Sequence, residues 1–264
     1  MIEARDVVKS FCSGGWRGKT QVHAVKGVSL SLEDGRTYAI VGESGSGKTT
    51  LSHLLLGLKK PDRGQVLLDG QPVLSFGEKQ RFRKMQLVMQ DSKSALDPSM
   101  TVAQSIAEPL LVMKLCSRKA APDKVSELLQ AVDLPADISR RRPSELSGGE
   151  QKRICIARAL CVQPRFIFFD EATAGLDVIR REQVLSLIRA LQEKHGFTAV
   201  YITHDLEVAL YVADTIFVMK QGQVLEALKR PFLPESVQQP YTQLLVQEYL
   251  RPAVSVTAFK PAGS

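Results

Sequence analysis

Gly42-Glu43-Ser44-Gly45-Ser46-Gly47-Lys48-Thr49 is the stretch on which the fold turns. A short apolar run, Thr37-Tyr38-Ala39-Ile40-Val41, precedes it and predicts a buried strand. Apolar spacing from Lys48 to about Gly57 predicts a helix after it. A strand passing through a glycine-rich turn into a helix, with the pattern GxxxxGK[ST], is a cradle for phosphate. Glycines let the backbone wrap closely and aim its N–H groups at anionic oxygens, and the helix N-terminus adds positive potential. The candidate nucleotide contacts here are Gly42, Ser44, Gly45, Gly47, Lys48, Thr49 and Thr50. Lys48 is placed to reach β- and γ-phosphates and Thr49 to ligate Mg²⁺.

Working outward, Val28, Leu30 and Leu32 alternate with Ser29, Ser31 and Glu33, a period-two strand. Pro61-Asp62-Arg63-Gly64 is a turn before a strand over residues 65–68. Residues 101–113 and 123–132 carry helical spacing between prolines at 98, 109, 122, 135 and 143, so a helical lobe is predicted at about 100–146. A helix is expected from Ser147 to Cys161, a strand over 165–170, a helix over 178–195, a strand over 198–203 and a helix over 205–212. This alternation predicts an α/β fold with a mostly parallel sheet, an antiparallel β part at the N-terminus and an inserted helical lobe. Residues 1–235 are expected to form one domain, with 236–264 a short C-terminal tail.

The second chemical feature is Phe166-Ile167-Phe168-Phe169-Asp170-Glu171. An apolar strand delivers two carboxylates to its C-terminal edge, where open α/β sheets bind their ligands. Asp170 suits Mg²⁺, and Glu171 suits a general base that polarises the attacking water. Standing alone, an acidic strand end is most simply the cap of the next helix. In one domain with a phosphate loop it reads as catalytic.

The third is Leu146-Ser147-Gly148-Gly149-Glu150-Gln151, a hydroxyl and two glycines at another helix start, followed by Lys152, Arg153 and Arg158. This resembles the signature motif of the ABC ATPase family, and the resemblance covers essentially the whole chain. It implies that Ser147, Gly148 and Gly149 contact ATP held by another subunit, in a head-to-tail dimer with two sites. It also implies roles for Gln90 (sensing Mg²⁺ and the membrane partner), Asp177 in Ala174-Gly175-Leu176-Asp177, and His204 (contacting the γ-phosphate). Phe11 resembles the aromatic that stacks on adenine, with Trp16 its rival. Glu150 stands where glutamine is commoner, and Ala174-Gly175 where Ser-Ala is usual. Neither departure removes a catalytic group, so an ATPase with ATP and Mg²⁺ is expected.

Charge and cysteines narrow the class. The net charge is +7, from 35 basic and 28 acidic residues. Its spread along the chain fits a mildly basic surface, with a nucleic-acid ATPase as the competing reading. Cys12, Cys116, Cys155 and Cys161 form no zinc-like pair, and none follows Cys161 to hold an iron–sulfur centre. No apolar run reaches the length of a membrane span, and the charged start shows no signal-peptide core.

Residues 90–102, the Pro240-Tyr241-Thr242 of the tail, and the insert at residues 13–19 resemble the peptide and nickel importers of the ABC family. That resemblance implies a second ATPase subunit in a heterodimer, two membrane-spanning permease subunits and an extracytoplasmic solute-binding protein. It places the chain peripherally on the cytoplasmic face of the inner (plasma) membrane, without nucleic acid. Nickel or chelated nickel is the favoured cargo and di- or oligopeptides the alternative.

Overall fold

A computed structural model describes residues 1–13, 20–233 and 237–250. The elements run in order β1 (Ile2–Ser13), β2 (Thr20–Leu32), β3 (Thr37–Val41), α1 (Lys48–Leu55), β4 (Arg63–Leu68), β5 (Gln71–Pro72), α2 (Glu78–Lys84), β6 (Met85–Val88), α3 (Ser92–Ala95), α4 (Val102–Val112), α5 (Ala121–Ala131), α6 (Gly148–Leu160), β7 (Phe166–Asp170), α7 (Val178–His195), β8 (Thr198–Thr203), α8 (Leu206–Val212), β9 (Thr215–Lys220), β10 (Gln223–Lys229) and α9 (Pro240–Leu250).

Two sheets form. The larger has the order β10-β9-β3-β8-β7-β6, parallel except for the β9–β10 hairpin. The smaller is antiparallel, β2-β1-β4-β5. Strand alternation divides the parallel sheet between two cores. Tyr38, Ile40, Phe166, Phe168, Val200 and Ile202 face α1 and the antiparallel sheet. Ala39, Val41, Ile167, Phe169 and Tyr201 face the opposite core, which includes α6 and α7. Because both faces are covered, β3 and β8 are buried at every position, which is why their sequences read as unbroken apolar runs.

The helical lobe is built on local signals. Thr101 and Gln104 form a reciprocal capping box at the start of α4, and Pro122 sits in the first turn of α5, where its missing N–H costs nothing. The lobe is not a separate body. Ile106, Val125, Leu129 and Ile138 share one continuous core with Ile154 and Ala157 of α6 and with Phe169 and Ile188. α6 buries residues on nearly every side, one face against the lobe and another toward the sheet.

Two parts of the fold escaped the sequence pattern. The basic run 79–84 is helix α2, and the β9–β10 hairpin closes the sheet edge beside β3. Part of the tail is helix α9, whose Val237 and Tyr241 join the main core.

Arg165, just before β7, ties the sheets together at their N-terminal end. It bonds both carboxylate oxygens of Asp69 (2.6 and 3.0 Å) and also Asp34. The Arg165 bond holds the Asp69 carboxyl well below the usual carboxylate range, against the opposing effect of burial. A depressed carboxylate contributes stability that is present above its unfolded pKa and lost as pH falls through the folded one. Arg165→Met is therefore expected to lower stability near pH 7 by about 1 kcal/mol, the cluster being partly exposed. The gap from wild type should close as pH drops below about 4. Thermal melts across pH check this, and a gap that widens in acid contradicts it.

Candidate active site at the ends of three parallel strands

The site is set by register. Val41 pairs with Thr203, and Asp170 with Ile202, so β3, β7 and β8 end side by side. Each strand hands its next residues to one edge: the phosphate loop after β3, Glu171 after β7 and His204 after β8.

The loop is held from behind. Gly222 N–H donates to the Ser46 carbonyl at 2.9 Å, and Lys26 N–H donates to Gly222 at 2.8 Å. At Gly42 (φ 154°) a Cβ would lie 2.0 Å from the Met219 carbonyl oxygen, and at Gly47 (φ 102°) 2.1 Å from that of Ala24. These two glycines are thus demanded by the strands packed behind the loop as well as by the phosphates in front of it. Gly45 is different: a Cβ there would meet nothing within 4 Å. Ser46 Oγ is buried and has no partner among the described residues. An open face at Gly45, α1 N–H groups without intrahelical partners and a buried lysine are what an anionic ligand fits.

Lys48 is buried, its ammonium bonded to the carbonyls of Gly42 (2.7 Å) and Glu43 (2.8 Å). Burial lowers its pKa, with Glu171, Asp170 and Glu43 pulling the other way. Thr49 Oγ1 donates to Asp170 Oδ1 at 3.4 Å. Burial raises the Asp170 pKa, with the Thr49 hydroxyl, His53 and Lys48 pulling the other way. A hydroxyl beside a carboxylate is an oxygen donor set suited to Mg²⁺.

Glu171 takes a left-handed conformation (φ 44°), pinned by its N–H to the Ile202 carbonyl at 2.8 Å. Its Oε1 lies 3.3 Å from Nδ1 of His204. Asp205 caps α8 by accepting from Glu207 and Val208 N–H groups, and it pairs with Arg181 at 2.7 Å. That sharp strand-to-helix turn leaves His204 exposed at the edge. Lys48, Thr49, Thr50, Ser44, Gly45, Gly47 and Glu171 line one cavity of about 590 Å³.

Other expected residues lie elsewhere. Phe11 does not line this cavity. It sits in β1, its ring near the Lys9 and Lys59 ammoniums (5.8 and 5.3 Å), while its cross-strand neighbour Val22 and His23 form the wall. Trp16 lies outside the described residues. Gln90 is exposed beyond β6, an outer strand of the sheet, and it does not reach the cavity either. Ser147, Gly148 and Gly149 open α6 away from the cavity lining. Glu150 caps Ser147, accepting its N–H and its hydroxyl at 2.7 Å each, and these bonds lower the Glu150 pKa. Asp177 caps α7 through the Arg180 N–H at 2.9 Å.

Sequence reading missed two positioning residues. Lys152 is 4% exposed and donates to the carbonyls of Met89 (2.9 Å) and Gln90 (2.8 Å). Gln151 holds the Pro143 carbonyl at 2.7 Å. Gln151 closes the signature motif and Lys152 follows it, on a helix that also buries Ile154, Ile156 and Ala157, and a polar residue at a core position of α6 was the available signal.

A phosphate loop, a carboxylate pair and a second glycine-rich helix start on this fold define an ATPase cassette. The "ABC transporter" family model matches residues 25–174, and the chain belongs to that family. It is 38% identical over 230 residues to the nickel import ATP-binding protein NikE of Shigella dysenteriae serotype 1, covering 86% of each chain. It is 41% identical over 229 residues to the glutathione import ATP-binding protein GsiA of Pectobacterium atrosepticum, covering 86% of this chain but 37% of that one. Among solved structures, it superposes on the ATP-binding cassette MJ0796, a dimer in a post-hydrolysis state bound to ADP and Pi. The TM-score is 0.77 and the identity 31%, over 87% of this chain and 98% of that one. CbiO1 of Clostridium perfringens, part of the cbiONQ ABC transporter complex, matches with a TM-score of 0.76 at 26% identity over 95% of each chain.

Lys152→Met would strand two carbonyls beside Gln90. It is expected to cost about 1 kcal/mol, a charged donor to two part-buried carbonyls being lost. ATPase activity should fall with it. Thermal melts and steady-state hydrolysis check both, and unchanged values in the two assays contradict the anchoring role.

Proposed function

We propose that this chain is the ATP-hydrolysing subunit of a multi-subunit importer, with Mg²⁺ as its metal and nickel, free or held by a small chelator, as cargo. The observation that carries the motor is the convergence of Lys48, Thr49, Asp170, Glu171 and His204 on one strand edge while Ser147–Gly149 stand apart from it. A signature loop that does not reach its own cavity fits the site of a second subunit, so two chains clamp two nucleotides between them. The resemblance to importers supports a heterodimer with a second ATPase subunit.

In this scheme Gly42, Ser44, Gly45, Gly47 and Thr50 shape the cradle, and Lys48 leaves the Gly42 and Glu43 carbonyls to take β- and γ-phosphate oxygens. Thr49, Asp170 and Gln90 would hold Mg²⁺, Gln90 having to approach from beyond β6, and the metal would neutralise the phosphate charge. Glu171 takes the proton of the attacking water, and His204 contacts both Glu171 and the γ-phosphate. Asp177 serves at the dimer seam.

Residues 1–235 act as one ATPase domain with the lobe at about 100–146, and 236–264 form the tail, whose Val237 and Tyr241 pack into the same core as the lobe. A groove of about 660 Å³, lined by Leu87, Met89, Pro109, Val112 and Met113, separates β6 from the lobe and suits an apolar permease helix. Among the described residues no helix is long and apolar enough to cross a membrane, and the resemblance to importers supports a pair of membrane-spanning permease subunits. A solute-binding protein delivers the cargo outside, and the chain works peripherally at the inner face of the membrane. The relatives named for nickel import support the cargo. The 41% identity to a protein named for glutathione import keeps a small peptide as the second reading.

Glu171→Gln is expected to keep ATP binding and to lose turnover by about 10²-fold or more, the usual size of a general-base contribution. Cells lacking the subunit, complemented with wild type or the variant, should take up labelled nickel only with wild type. Loss of labelled dipeptide uptake instead would move the cargo to peptides. Near wild-type hydrolysis in the variant would remove Glu171 from its role.

A further inference from the structure

The mechanism leaves the tail without a task, yet the tail touches the phosphate loop. Tyr241, in the first turn of α9, is 8% exposed, and its hydroxyl accepts the Glu43 backbone N–H at 3.3 Å. Glu43 is the hinge of the lysine's resting place. Its carbonyl receives Lys48 Nζ at 2.8 Å and Ser46 N–H at 3.1 Å. The Gly42–Glu43 peptide unit is therefore held through its N–H from the tail side, while the nucleotide-binding lysine sits on the carbonyl of that same unit and on that of the next.

The rest of α9 is anchored for this contact. The Glu226 carboxylate on β10 accepts the N–H groups of Gln238 (2.8 Å) and Gln239 (3.3 Å), just ahead of the helix. A carboxylate at a helix N-terminus is favourably placed. Lys220, at the end of β9, puts its ammonium 4.1 Å from the centre of the Tyr241 ring. Val237 and Tyr241 are buried in the main core, and Gln243 bonds back to the Val237 carbonyl at 3.1 Å. The phenol thus has a defined position, set by β9, β10 and α9 together, from which to hold the loop.

We propose that Tyr241 is a positioning residue for ATP, fixing the first turn of the phosphate loop so that docking of the tail and binding of nucleotide favour each other. This rests on the ATPase reading above. Energetic coupling of two sites is reciprocal. A docked tail tightens ATP binding, and bound ATP protects the tail.

The test uses the full chain. Tyr241→Phe keeps the ring over Lys220 and removes the hydroxyl that accepts the Glu43 N–H. The expected result is an ATP dissociation constant raised roughly five-fold, the size of one hydrogen bond of about 1 kcal/mol. In the assembled transporter KM for ATP should rise with kcat unchanged. By hydrogen exchange, ATP should slow the amides of residues 237–247 in wild type and not in the variant. Glu226→Ala, which loosens the start of α9 without touching Tyr241, should shift the dissociation constant in the same direction. ATP affinity within two-fold of wild type in both variants overturns the proposal, as does a fall in kcat at constant KM. If wild-type protein itself neither binds nor hydrolyses ATP, the ATPase reading fails rather than the role of Tyr241.

Discussion

The chemistry of this protein depends on the parallel pairing of β3, β7 and β8. Their register, Val41 against Thr203 and Asp170 against Ile202, brings three chain segments far apart in sequence to one edge. A slip of one residue in a strand would reverse which side chains face each core. Tyr38, Ile40, Phe166 and Phe168 would exchange faces with Ala39, Val41, Ile167 and Phe169, and large side chains would meet the wrong packing. The two buried faces thus lock the positions of Lys48, Glu171 and His204, and catalytic geometry follows from core packing.

The phosphate loop answers to two constraints at once. Gly42 and Gly47 accommodate the carbonyls of Met219 and Ala24 behind it, while Gly45 leaves space in front. Close backbone approach on one side makes the loop stiff, and stiffness preserves its concave shape. Lys48 is held by two carbonyls in the same structure, so its charge is satisfied before a phosphate displaces them. Glu171, in a left-handed conformation pinned from β8, illustrates strain sustained by the surrounding sheet at a functional position.

α6 links the site to the lobe. It starts at the signature serine, buries its apolar residues against both lobe and sheet, and carries Lys152, which grips the backbone before Gln90. The lobe, the signature loop and the Gln90 segment are therefore all tied to one helix. The groove beside Met89 and Val112 opens at this joint, its apolar wall bordered by Glu78, Lys79, Arg81, Glu108 and Arg158.

Much of this was legible in the sequence, because strong local signals agree with the tertiary fold. The apolar runs at 37–41 and 198–203, the capping residues Thr101 and Ser147, and the glycine-rich loop mark their elements within a residue or two. The candidate residues Lys48, Thr49, Asp170, Glu171 and His204 were each readable from strand-end position and motif. What the chain alone did not yield are relations between distant residues. Nothing near Phe11 in sequence says that Val22 and His23, rather than Phe11, line the cavity. Nothing near Lys152 says that its ammonium ends on the Gln90 carbonyl, and nothing near Tyr241 points to Glu43. Local pattern reports the conformation and burial each residue prefers. Which partners a buried donor or acceptor finds is decided only when distant strands and helices pack, because satisfying that group is a property of the assembled core.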